Sequence, residues 1–305
     1  GLQLETDSPA YNDNWSTTLI IDNLTLDGAT LDLGMGAGSV IDADSVTLLP
    51  GGAFFLYLRD CAATFTNSVF HAGSPAATHI YYPGDTLFSN CRFIVERAAG
   101  DNATFYSPTR IYFSLASGGV EQDQVCAFED CTWTVGESIQ AGDVTYAVYV
   151  NSDYASYHNQ VLVTGGSIGA GYDEGIHVHQ GGSQIITDLT IAADRAIYLG
   201  ATNSYGSSYY LDTVLDNVMF AEGVVTGEWL NWDHPSNNIT HRNMVLDRPY
   251  NVLGTKYGLT DNTYHDGRKI IGPVGPGTNT PGLVGDLYQL NPLPPPGNVY
   301  QWVCT

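Results

Sequence analysis

The chain has 305 residues, 43% of them apolar, which is enough for a large core or an extended solenoid and too apolar for disorder. Ten Lys and Arg against 32 Asp and Glu give a net charge of −22, so no basic patch for nucleic acid can be assembled and an anionic lipid surface would repel the chain. No apolar run approaches the roughly 18 residues of a spanning helix, which predicts no membrane insertion.

Only 14% of residues are charged, whereas glycine (34) and tyrosine (20) are abundant. Such a surface is polar, largely uncharged and aromatic, and it suits hydroxyl-rich ligands better than ionic ones. The negative charge is compatible with a structural cation; no cofactor is implied. The chain begins with Gly1 rather than Met, which is expected of a processed protein or a piece of a longer one.

Residues 1–17 are polar and lack a repeat, and they read as a lead-in or cap. From residue 18 a short phrase recurs: alternating apolar residues, a small polar pair, then another alternating stretch. It reads Ile21-Asp22-Asn23-Leu24-Thr25-Leu26, then Phe65-Thr66-Asn67-Ser68-Val69-Phe70 and Phe88-Ser89-Asn90-Cys91-Arg92-Phe93. It returns as Phe128-Glu129-Asp130-Cys131-Thr132-Trp133, Ile186-Thr187-Asp188-Leu189-Thr190-Ile191 and Leu215-Asp216-Asn217-Val218-Met219-Phe220. A degenerate repeat of about 20–30 residues built of short strands predicts a solenoid over residues 18–270. Longer intervals, such as that between Asn90 and Asp130, imply loop insertions or a missed turn.

Residues 271–305 change character. Gly272-Pro273-Val274-Gly275-Pro276-Gly277 and Leu293-Pro294-Pro295-Pro296-Gly297 exclude helix and central strand, so an extended C-terminal tail is predicted. Tyr288, Tyr300 and Trp302 make it too aromatic for a solvated linker. The five cysteines show no zinc-ligand spacing. Cys91 and Cys131 occupy one slot of the repeat and read as stacked core thiols.

Short β-repeats with Asn or Asp at their turns resemble the pectate-lyase superfamily, which implies an all-β, right-handed parallel β-helix. The closing Gly/Pro-rich stretch, from Pro281-Gly282-Leu283 through Pro296-Gly297 to Trp302-Val303-Cys304-Thr305, is similar to the end of many tailed-phage spike and fibre proteins. Here Gln301 replaces the glycine that usually precedes the Trp. The resemblance implies a virion or extracellular appendage, a homotrimer, that engages a bacterial surface polysaccharide.

In a parallel β-helix, equivalent residues of adjacent coils stand about 4.8 Å apart. Aligning coils on one strand stacks Tyr149, His177, Tyr198, Asn231 and Asn251 on the solvent face. Two residues before the inward column come Tyr146, Glu174, Arg195, Glu228 and Arg248, in which opposite charges alternate. Read structurally, this is an ion-pair ladder. Read functionally, Glu174 and Glu228 form a two-carboxylate glycosidase pair with Arg195 between them to orient substrate or neutralise a uronate. His177 is the acid–base candidate of the dense cluster Asp173 to His179, and His177 and His179 share a strand face. No third ligand for a metal is evident beside them. Tyr149, Tyr198, Trp229, Asn231 and Asp233 are the candidate sugar contacts, with Trp229 offering a flat face. Three functions fit: a phage-type spike that binds, with or without depolymerising, a polysaccharide; a free secreted lyase or hydrolase; and a noncatalytic fibre.

Overall fold

The computed structural model describes residues 2–5, 18–35, 38–51, 53–58, 61–72, 78–81, 83–97, 105–113, 123–152, 159–179, 182–199, 211–221, 224, 226–230, 237–243, 245–246, 257–260, 263–264, 269–272, 287–290 and 301–303. Residues 2–5, 35, 53, 72, 78, 211–212, 226–230, 237–242, 245–246 and all those from 257 onward are described by their backbone alone. Among these residues the fold is all-β, without helix, and it is built on three long parallel sheets.

Sheet one runs Leu2–Glu5, Thr30–Met35, Ala53–Leu58, Thr78–Tyr81, Thr109–Phe113, Val144–Ser152, Glu174–Val178, Arg195–Leu199 and Thr226–Leu230. Sheet two takes the strand that follows in each circuit, from Thr18–Asp22 to Tyr257–Thr260. Sheet three takes the short strand after that, from Thr25–Leu26 to Met219–Phe220. Each strand pairs in parallel with its equivalent one circuit away, a topology consistent with a β-solenoid.

The recurrent phrase is the corner between sheets two and three. Among the described residues eight non-glycine residues have positive φ, at 50–55°: Asn23, Ser45, Asn67, Asn90, Asp130, Asp188 and Asn217 at this corner, and Asn243 at the equivalent turn between Asn237–Arg242 of sheet two and Val245–Leu246. This left-handed conformation is tolerated best by Asn and Asp, whose short side chains bond locally. The side chains also bond along the stack. Asn67 Nδ2 donates to Asp44 Oδ1 at 2.7 Å, and Asn90 Nδ2 donates to Asn67 Oδ1 at 2.7 Å. Ser45 marks a turn that the Asn/Asp phrase does not reveal, since serine stands where its neighbours carry Asn.

Inside, most strands whose side chains are described bury alternate residues. Phe54, Phe70, Phe93 and Trp133 stack in one column at 5.2–5.5 Å between centroids, and Phe65, Phe88 and Phe128 form another at 5.1 and 5.3 Å. The two columns meet edge to face. Each buried ring contributes about 1.5–3 kcal/mol of transfer energy, and each ring pair about 0.5–1.5 more. Cys91 and Cys131 are buried free thiols of one slot, as expected, and donate to the Phe65 and Phe88 carbonyls at 3.3 Å.

Both terminal regions contribute strands. In the lead-in, Leu2–Glu5 pairs in parallel with Thr30–Met35 and so adds a rung to sheet one. In the tail, Leu287–Leu290 pairs with Lys269–Gly272 in parallel and with Gln301–Val303 antiparallel, opposing Tyr288 to Trp302.

Candidate functional site on the outer face of sheet one

One outward column runs along most of sheet one. The register links Asp32, Phe55, His79, Arg110, Tyr149, His177 and Tyr198 on successive rungs. A second column, two residues on, links Tyr57, Tyr81, Tyr112 and Asn151. Their neighbours in each strand, such as Ile111, Val150, Val178 and Leu199, point into the core, so strict alternation turns these columns outward.

The rings stack on one another along the axis. Tyr57, Tyr81 and Tyr112 lie at 4.8 and 4.9 Å with near-parallel planes, and His177 is sandwiched between Tyr149 at 5.1 Å and Tyr198 at 4.4 Å. The ring faces are thereby used up internally. What the surface offers outward is ring edges and phenol oxygens, which recognise hydroxyl groups by hydrogen bonding rather than by face stacking.

At the centre of this face stand Glu174, His177 and Arg195. His177 Nδ1 lies 2.5 Å from Glu174 Oε2, and Arg195 Nη1 donates to Glu174 Oε1 at 2.5 Å. Glu174 and His177 are only 8% and 9% exposed. Sheet alternation alone would turn Glu174 inward, because Ile176 and Val178 face the core. Two consecutive buried residues intervene instead: Gly175 and Ile176, matched by Ala147 and Val148 one rung earlier and by Ala196 and Ile197 one rung later. This kink returns residue 174 to the outer face beside residue 177. Gly175 is required there, since an added Cβ would collide with the backbone carbonyl oxygen of Ala196.

Tyr146 completes the cluster, with its ring 4.6 Å from that of His177. Burial, reinforced by the Glu174 carboxylate, pushes its phenol up to about 12. Burial also raises Tyr149 and Tyr198, and it lowers His179, with His177 adding to that fall. His177 and His179 do share a face, their rings 6.2 Å apart. Among the described residues no group of three His, Cys, Asp or Glu side chains is placed to hold a metal ion.

Compared with known proteins, the chain matches no family model, no curated protein and no solved structure.

The predicted columns are met over three coils. Tyr146, Glu174 and Arg195 are in register, as are Tyr149, His177 and Tyr198. The fourth coil departs from the expectation by two residues. Thr226, not Glu228, stands beside Arg195, while Glu228 stands beside Ile197 and Trp229, not Asn231, beside Tyr198. Glu228 therefore does not share a column with Glu174 and Arg195. The sequence admitted the wrong register because a two-residue shift preserves alternation. Asn231, Asp233, Arg248 and Asn251 lie outside the described residues, as do the side chains of Glu228 and Trp229. Sequence reasoning missed His79, Arg110 and the Tyr57–Tyr81–Tyr112 stack, because the insertions between Val95 and Gln124 hide the alignment of the earlier coils with the later ones.

Proposed function

We propose that this chain is a right-handed parallel β-helix of the tailed-phage spike kind that binds a bacterial surface polysaccharide along the outer face of sheet one. The observation that carries the reading is the unbroken outward series of rings and polar edges in register from Phe55 to Tyr198. A linear polymer presents hydroxyl groups at repeated intervals, and a rung spacing of about 4.8 Å presents donors and acceptors at repeated intervals too. The right hand follows from the near-universal chirality of parallel crossovers, about 98%. Assembly as a trimer is supported by the outward face of sheet two, where Leu87, Ala127, Leu162, Ile185 and Val214 stand in register as an apolar stripe.

Cleavage is the second half of the proposal, favoured by the buried Glu174–His177 pair. A carboxylate accepting from Nδ1 fixes the imidazole tautomer that leaves Nε2 as a base. Both Glu174 oxygens are engaged, by His177 and by Arg195, so Glu174 is a positioning residue rather than one of two glycosidase carboxylates. His177 takes the proton from the attacking water or, in an elimination, from the sugar carbon, and Tyr146, which keeps its own proton to high pH, gives it to the departing glycosidic oxygen as the C–O bond breaks.

The test is a glycan array followed by product analysis on whatever polymer binds. His177→Asn is expected to abolish turnover while binding persists. Glu174→Gln is expected to lower kcat far more than it changes KM and to shift the pH profile of the rate. Binding without any product from the wild type would remove the cleavage half and leave a pure binder; no binding to any glycan would end the proposal.

A further inference from the structure

Two rungs from His177, on the same outer face, Arg110 and His79 occupy adjacent rungs in register. The Arg110 guanidinium lies 4.3 Å from the Phe105 ring centre and 5.2 Å from that of Tyr149. No carboxylate of the described residues is paired with it, although the chain carries 32 Asp and Glu, and its Nε is buried without a hydrogen-bond partner. His79 is 6% exposed, held between Phe55 at 5.3 Å and Tyr112 at 5.7 Å, and both of its ring nitrogens also lack partners.

Three unmet buried nitrogens on two adjacent side chains are unusual. Buried polar groups are nearly always paired, and each exception requires a cause. Surplus cation is an unexpected cause in so acidic a chain, where a nearby Asp or Glu would be the ordinary solution. By contrast, Arg97 is paired with Asp143 and Arg195 with Glu174. Arg110 alone among these three is left with rings on its flanks and no anion.

We propose that Arg110 and His79 form a carboxylate-binding subsite, so that the polysaccharide taken by this face is an acidic one carrying uronate-type sugars. The inference rests on the glycan-binding reading of sheet one and gives it a substrate class. The planar guanidinium fork matches a carboxylate bidentately, and a neutral imidazole adds one donor. The Tyr81 and Tyr112 phenols flank the pair for the sugar hydroxyls, Tyr81 stacking on His79 at 5.3 Å. With Arg195 further along the face, the sheet offers one guanidinium on either side of the Tyr149–His177 centre.

Isothermal titration calorimetry of the full chain with four oligosaccharide probes tests it: oligogalacturonate, oligomannuronate, a sulfated oligosaccharide and neutral maltohexaose. The expected result is binding of a uronate probe, weakened about ten- to a hundredfold in Arg110→Gln, with Arg110→Lys recovering part of the loss. His79→Phe, which keeps the ring stack, is expected to weaken the same probe several-fold. Unchanged unfolding midpoints of these variants exclude misfolding as the cause. If the sulfated probe alone binds, or a uronate binds equally well to wild type and Arg110→Gln, the subsite is overturned while the glycan-binding face stands. Selective binding of maltohexaose, lost in Tyr149→Ala, likewise overturns the subsite and leaves the face. If none of the four probes binds, and no glycan on an array does, the face itself falls and the subsite with it.

Discussion

At the residue scale, the strongest constraints are side chains whose burial and partners disagree with their polarity. Burial, with the Arg110 charge beside it, depresses His79 from its usual 6.5 to about 4. The folded protein therefore holds His79 neutral where the unfolded chain would protonate it. Its contribution to stability is intact above pH 6.5 and is lost as pH falls from 6.5 towards 4, by roughly 2 kcal/mol. Urea unfolding of wild type and His79→Phe at pH 7 and 4.5 is expected to show a smaller acid-induced drop in the variant; equal drops would show that His79 is not the group responsible. Gly175 is the second such residue. Gly175→Ala forces the Ala196 carbonyl away, which separates the rungs that carry Glu174 and Arg195. The expected outcome is a loss of about 1–3 kcal/mol by denaturant titration, the range of overpacked core sites. The thiols are the third case. Burial raises Cys126, and a hydrogen bond to Cys91 together with burial raises Cys131. Neither is expected to react with a disulfide reagent at pH 8 until denaturant is added, as peptide mapping would show.

At the element scale, the corner between sheets two and three is the repeated unit of order. Its left-handed residue ends one strand, starts the next and bonds to its neighbours above and below. Asn217 Nδ2 reaches Asp188 Oδ1 at 2.5 Å, and Asn243 Nδ2 reaches Asp216 Oδ1 at 2.7 Å. Asp44 accepts from Thr66, Asn67 and Ser45, and these bonds hold its carboxyl below the usual range. Asn90→Ala forfeits both the tolerance of positive φ and the bond to Asn67, so a loss of about 1–3 kcal/mol is expected from chemical denaturation. Asn90→Gly keeps the conformation and is expected to cost less; the reverse order would show that the turn geometry is not the source. These corners were legible in the sequence because an Asn in such a phrase is a local signal. Ser45 escaped it because serine carries no comparable preference for the left-handed region.

At the scale of the whole molecule, stacked circuits convert a sequence with no local motif for catalysis into two long faces, one aromatic and polar, the other carrying an apolar stripe from Leu87 to Val214. Sedimentation of the intact chain is expected to give a trimer, and Leu162→Asp, on the apolar stripe of sheet two, is expected to give the monomer with the same circular dichroism. A monomeric wild type would detach assembly from the proposal. The sequence by itself determined the strand-and-turn repeat, the inward and outward alternation, the buried Cys91 and Cys131, and the shared column of Tyr146, Glu174 and Arg195. Each of these depends on a period of two or on a residue's own backbone preference. Only the tertiary structure decided that Thr226 rather than Glu228 meets Arg195, that a kink at Gly175 brings Glu174 onto His177, and that His79 and Arg110 lie on the same face. A shift of two residues leaves every side chain on its original side of the sheet, and insertions erase the count between coils, so pairing across rungs is set by packing between distant segments and not by any pattern within one.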